Sequence, residues 1–109
     1  MATFFRNKVV NNVGSIPVKS LETDGNTRST IVGISMANLT GSLIYANVLV
    51  KDDGSSLGFY LKDVVIPANS SLRALSAGEK LVLAPNNELY FQASRDDAID
   101  VVISYVDIV

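Results

Sequence analysis

Two acidic clusters are the residues best suited to chemistry by type and spacing. Asp96, Asp97 and Asp100 fall within one short stretch, and Asp52 and Asp53 stand together before a glycine. Paired carboxylates can flank a glycosidic bond. Three carboxylates with backbone carbonyls can hold Ca²⁺. A glycosidase also needs a substrate cleft, which a sandwich this small rarely offers, and the D-x-D-x-D-G spacing of a calcium loop is missing. Asp in a loop most often closes its own turn, and that is the expectation here.

Nucleophilic catalysis by serine needs a base, usually histidine. The chain has no His and no Cys, so thiol chemistry, disulfides and Cys/His metal sites are excluded within it. A Ser–Lys pair is what remains, and those residue types read as solvated turn and surface residues. No G-x-x-x-x-G-K or G-x-G-x-x-G phosphate loop occurs. Asn38-Leu39-Thr40 and Asn69-Ser70-Ser71 match a glycosylation sequon, yet without a visible signal peptide they read as turn residues. The expectation is a protein without catalytic residue, cofactor, metal or small-molecule substrate. One alternative binding reading stands beside it, a carbohydrate-binding or adhesin-like module. It would use Tyr45, Tyr60 or Tyr90 as outward sugar platforms, with Ca²⁺ held by Asp96, Asp97 and Asp100.

The elements that would position these residues are strands. Apolar residues recur every second position, the signature of a half-buried strand. Thr30 to Asn38 predicts one, with Val32, Ile34 and Met36 sharing a face. Ser42 to Lys51 places Ile44, Ala46, Val48 and Val50 on one face and Tyr45, Asn47, Leu49 and Lys51 on the other. Glu88 to Ser94 turns Leu89, Phe91 and Ala93 inward and Tyr90 and Gln92 outward. Ile99 to Val106 alternates Ile99, Val101, Ile103 and Tyr105 against Asp100, Val102, Ser104 and Val106. Turn residues punctuate these runs at Asn38–Gly41, Asp52–Ser56, Pro67–Asn69 and Pro85–Asn87. Ser70 to Lys80 reads as a strand edge or a short helical turn, since Gly78 interrupts any longer helix. The sum is an all-β chain. We expect one antiparallel β-sandwich, jelly-roll or Ig-like, of about seven or eight strands. It spans residues 1–109 as a single domain, with residues 1–13 an N-terminal arm or first strand.

Charge narrows the partners. Nine Lys and Arg against eleven Asp and Glu leave a net charge of −2. No basic field suited to phosphate or to an anionic membrane is present, so neither nucleic acid nor membrane is expected. Charged residues make up 18% of the chain, below the usual roughly 25%. Several strands are apolar on both faces, and large exposed apolar patches mark interfaces. Leu43, Tyr45, Leu49, Val102, Val106 and Ile108 are the expected subunit contacts of a homo-oligomer.

The stretch Ile31 to Ser104 resembles small β-sandwich virion proteins of tailed bacteriophages. Three segments carry the likeness: I-V-G-I-S-M-A-N-L-T-G-S (Ile31 to Ser42), F-Y-L-K-D-V-V-I-P-A-N-S-S-L (Phe59 to Leu72), and K-L-V-L-A-P-N-N-E-L-Y-F-Q-A-S (Lys80 to Ser94) followed by D-V-V-I-S-Y-V-D-I. The first thirty residues depart from the pattern. The resemblance implies a non-enzymatic structural protein of the capsid, neck or tail. Such a protein assembles with copies of itself and other virion proteins, is made in the host cytoplasm and is carried in the virion.

Overall fold

The computed structural model describes residues 2–75 and 80–109, and among these there are nine strands and no helix. In chain order they are β1 (Thr3–Val13), β2 (Val18–Glu22), β3 (Arg28–Asn38), β4 (Ile44–Lys51), β5 (Leu57–Ile66), β6 (Ser71–Arg73), β7 (Leu81–Leu83), β8 (Glu88–Ala93) and β9 (Ile99–Ile108). One sheet has the order β1-β9-β3-β6, with β7 also on β3; the other has the order β2-β8-β4-β5. Every pairing is antiparallel.

β6 lies on Ser35–Ala37 and β7 on Ser29–Ile31. Both occupy the side of β3 that β9 does not, so they are two pieces of one interrupted strand. Counted that way, the chain has eight strand positions and changes sheet at every connection except the β4–β5 hairpin, which is a jelly roll rather than an Ig-like sandwich. Ser70 to Lys80 thus holds the strand edge β6; Ser76–Glu79 lie outside the described residues.

The core sits between the sheets. Ile31, Ile34, Met36, Ile99, Val101 and Ile103 face Ile44, Val48, Leu89 and Phe91, all buried. The strict alternation of β4, β8 and β9 produces that layer as expected from sequence. β3 does not follow the expected alternation. The register with β9 slips between Ile31 and Gly33, so Val32 is an extra residue in a bulge. Val32 turns outward while Ile31, Ile34 and Met36 all face the core.

The N-terminal segment is a strand, not a detached arm. β1 pairs with β9 from Thr3 to Val10 without interruption and then slips before Val13. It was illegible because nearly every residue of it is exposed, on both faces. Beyond β1, the chain passes close to the β8–β9 turn. A Cβ on Gly14 would stand 3.1 Å from Asp96 Cα, so this close approach favours glycine.

Candidate subunit interface

Three carboxylates of the acidic clusters accept hydrogen bonds within the fold. One carboxylate oxygen of Asp52 accepts the Ser56 N–H at 2.9 Å, closing the β4–β5 turn. Asp96 Oδ1 accepts the Ser15 hydroxyl at 2.7 Å and its backbone N–H at 3.3 Å. These two donors, the hydroxyl first, hold the Asp96 carboxyl below the usual range. Asp100 Oδ1 accepts the Asn12 N–H at 2.9 Å. Asp96, Asp97 and Asp100 therefore do not converge. Among the described residues no three His, Cys, Asp or Glu side chains are grouped to hold a metal.

The three tyrosines separate as well. Tyr45 is exposed on the outer face of the β2-β8-β4-β5 sheet. Tyr60 falls in the irregular part of β5 and packs half-buried against the core, so it is not an outward platform. The Tyr90 hydroxyl donates to Glu88 in a very short hydrogen bond. That bond is the main reason the Glu88 carboxyl is held low and the Tyr90 phenol is raised. Asn38, the first sequon asparagine, is buried. Its amide donates to the carbonyls of Ser42 (2.9 Å), Ile66 (3.1 Å) and Pro67 (3.0 Å), which ties the β3–β4 connection to the end of β5.

The six expected subunit contacts divide between opposite sides of the molecule. Val102, Val106 and Ile108 lie on the outer face of the β1-containing sheet, here face A. Register places Phe5, Val106, Thr30 and Val82 in one row across β1, β9, β3 and β7. Val9, Val102 and Ser35 make a second row, with Arg73 at its far edge. Between the rows stand Asn7 and Ser104. Among the described residues no charged side chain falls within this field; Arg28, Arg73, Lys80 and Asp100 stand at its rim. An apolar, uncharged centre with a charged rim is how protein interfaces are built. Val106 and Ile108 are half-buried in the single chain and Val102 is exposed.

Leu43, Tyr45 and Leu49 belong to the other side, face B. Leu43 and Tyr45 are exposed there, beside Val65, which pairs with Tyr45. Leu49 is only 6% exposed, so it does not offer a free contact surface. It points outward yet stands in register between two larger side chains, Phe59 on β5 and Tyr90 on β8. Face B is also wired by polar groups. Asn47 Oδ1 accepts the Asp63 N–H at 2.7 Å and its amide donates to Gln92 at 3.2 Å. The Gln92 amide donates to the Ser15 carbonyl at 2.8 Å. Lys19–Glu22 (3.2 Å) and Lys62–Asp63 (3.4 Å) ion pairs add charge.

Sequence reasoning missed Phe5, Val9, Val32 and Val82 on face A, and Phe59 and Leu57 on face B, all exposed. The Phe4-Phe5 and Val9-Val10 pairs were the available signal in β1. A cleft of about 410 Å³ lined by Glu22, Asp24, Ser29, Tyr105 and Asp107 is polar. Among the described residues no helix is long and apolar enough to cross a membrane.

No known family profile matches the chain, and no curated protein matches its sequence. Solved structures do match its fold. A chain from the capsid of Helicobacter pylori bacteriophage KHP30 superposes with a TM-score of 0.55 at 7% identity, covering 100% of this chain and 89% of that one. A chain from Bacillus endospore appendages, a family of disulfide-linked pili, gives 0.54 at 5% identity, covering 96% and 86%. A chain of infectious bursal disease virus gives 0.49 at 7% identity, covering 95% of this chain and 36% of that one. At these identities the likeness establishes the fold alone, an all-β sandwich shared by a phage capsid chain and a pilus chain.

Proposed function

We propose that this chain is a non-enzymatic structural subunit of a bacteriophage particle, joining copies of itself and other virion proteins on the capsid, neck or tail. The observation that carries the reading is face A: Phe5, Val9, Val102 and Val106 in a field without charge, on a jelly roll. A solitary solvated sandwich places polar residues on its outer faces. Covering apolar surface stabilises association by about 25 cal/mol per Å² before ordering costs. Val102, Val106 and Ile108 are the proposed contacts on that face, and Leu43 and Tyr45 form a second patch on the opposite side. Two unlike patches on opposite sides suit a subunit with more than one kind of neighbour. The fold likeness to a phage capsid chain favours the particle setting over the pilus setting, because this chain has no cysteine with which to form disulfide links.

An antibody raised against the purified protein, probed across a density gradient of phage particles from the source culture, tests this. Antigen banding with intact particles at a stoichiometric level is expected. Antigen confined to the soluble fraction overturns the particle reading and brings glycan binding forward.

A further inference from the structure

We propose that two copies of this chain join edge to edge through β1. The strands pair antiparallel about a two-fold axis at Phe5, and two sheets become one continuous sheet. The proposal concerns an edge rather than a face, and it stands whether or not the chain belongs to a virus particle.

An unpaired strand edge invites another strand, and proteins blunt such edges with bulges, short strands and charge. The outer edges of this sandwich differ in that respect. β6 and β7 are three residues each. β2 is broken by a register shift between Lys19 and Leu21. β5 carries two shifts against β4, and Asp63 within it has a φ of 52°. β1 is different, running in regular register with β9 from Thr3 to Val10. Among the described residues nothing pairs with its other side.

The hydrogen-bond phase of β1 is set at its start. The Ala2 N–H donates to the Val109 carbonyl at 3.0 Å and the Val109 N–H to the Ala2 carbonyl at 2.9 Å. Antiparallel ladders alternate, so Ala2, Phe4, Arg6 and Lys8 direct their backbone groups to β9. Thr3, Phe5 and Asn7 direct theirs to the open edge. The most exposed large apolar side chain stands in the middle of that edge: Phe5, at 85%.

Charge then narrows the register. Like charges directly opposite each other on paired strands are destabilising. A two-fold axis at Arg6 sets Arg6 against Arg6, one at Asn7 sets Arg6 against Lys8, and one at Lys8 sets Lys8 against Lys8. An axis at Phe5 avoids all of these. It sets Phe5 against Phe5, Thr3 against Asn7, Lys8 against Ala2 and Arg6 against Phe4. The last pairing repeats between copies a contact each copy already makes, since the Arg6 guanidinium lies 5.2 Å from its own Phe4 ring. The Arg6 charge is also held by Asp107 at 3.0 Å. Open-edge groups of Thr3, Phe5 and Asn7 would form about six hydrogen bonds across the axis. The sequence is thus complementary to itself in this register, which is why a second copy is the occupant.

The test uses the full chain. Sedimentation equilibrium should show a reversible dimer whose dissociation constant rises at least tenfold in Phe5→Pro. That substitution removes the central edge N–H and leaves the β9 ladder its donors. Because the natural chain has no cysteine, register is read by oxidative cross-linking. Opposed residues sit about 5.5 Å apart at Cα, within disulfide reach. The Thr3→Cys/Asn7→Cys double variant should therefore form covalent dimers. Asn7→Cys alone should not, since its twin would lie about 13 Å away. A wild-type chain that stays monomeric at millimolar concentration overturns the proposal, as does cross-linking of Asn7→Cys as fast as the double variant. A dimer that never bands with particles would count against the particle reading only. A monomer that does band with them would count against this dimer only.

Discussion

Face A and face B are made of strands with the same in–out alternation, and they differ in what the outward residues do. On face A, Phe5, Val106, Thr30 and Val82 lie side by side across four strands, and among the described residues no hydrogen bond joins these side chains to one another. On face B, Asp63, Asn47, Gln92 and Ser15 are joined by successive hydrogen bonds, and Glu88 is held by Tyr90. Groups bonded to each other inside one chain have little left to offer a partner. Uncharged apolar groups left open gain only when something covers them. The contrast separates a surface completed within the subunit from one completed by a neighbour.

The largest expected effect breaks that contrast on face A. Val102→Asp places a carboxylate in the uncharged field, where association would strip its water. Burial of an unpaired charge in an interface costs several kcal/mol, so assembly should weaken by about a hundredfold or more. Because Val102 is exposed in the single chain, the melting temperature should stay near that of the natural protein. Velocity sedimentation and thermal melting read the two quantities together. Normal assembly of the variant would remove face A from the interface.

Leu49→Ala gives the mirror image on face B. The side chain is buried between Phe59 and Tyr90, so its truncation leaves a void and lowers stability by about 2–3 kcal/mol in urea unfolding. Assembly of the folded fraction should not change. Next in size is Asn47→Val, which deprives the Asp63 N–H and the Gln92 carbonyl oxygen of their partner. A loss of about 1 kcal/mol is expected for these half-exposed groups, again without effect on assembly.

These sites also mark what the sequence could and could not disclose. Alternation in β4, β8 and β9 was legible because those strands are central, with one face fully buried and the other not. β3 was misread at one residue, since a bulge at Val32 changes phase without any change in composition. β1 and β2 were unreadable for a different reason. Neither has a face that is buried throughout, so no period imprints on the sequence. For the site, outward direction was legible and accessibility was not. Leu49 was placed on the correct side, but only the registers that set Phe59 and Tyr90 beside it explain its burial. Nor could spacing alone reveal that Val102 and Tyr45 belong to opposite faces, because that depends on which sheet each strand joins.

The smallest expected effect lies where the polar chain of face B ends, at Ser15 and Asp96. The Asp96 carboxyl is held below its ordinary value by the Ser15 hydroxyl and N–H, and Asp24 is lowered likewise, first by the Asn26 N–H. A carboxyl lowered in the folded state contributes stability that is present above its unfolded pKa, near 4. That contribution is lost as pH falls through the lower folded value. The natural chain should therefore melt at lower temperature at pH 2 than at pH 6. In Ser15→Ala the hydroxyl is gone while the backbone donor stays. The variant should start slightly less stable at pH 6 and lose less on acidification, so the two melting curves approach each other toward pH 2. Parallel pH profiles would mean that the Ser15 hydroxyl does not hold the Asp96 charge. Face B's wiring would then stop at Gln92, short of the β8–β9 turn.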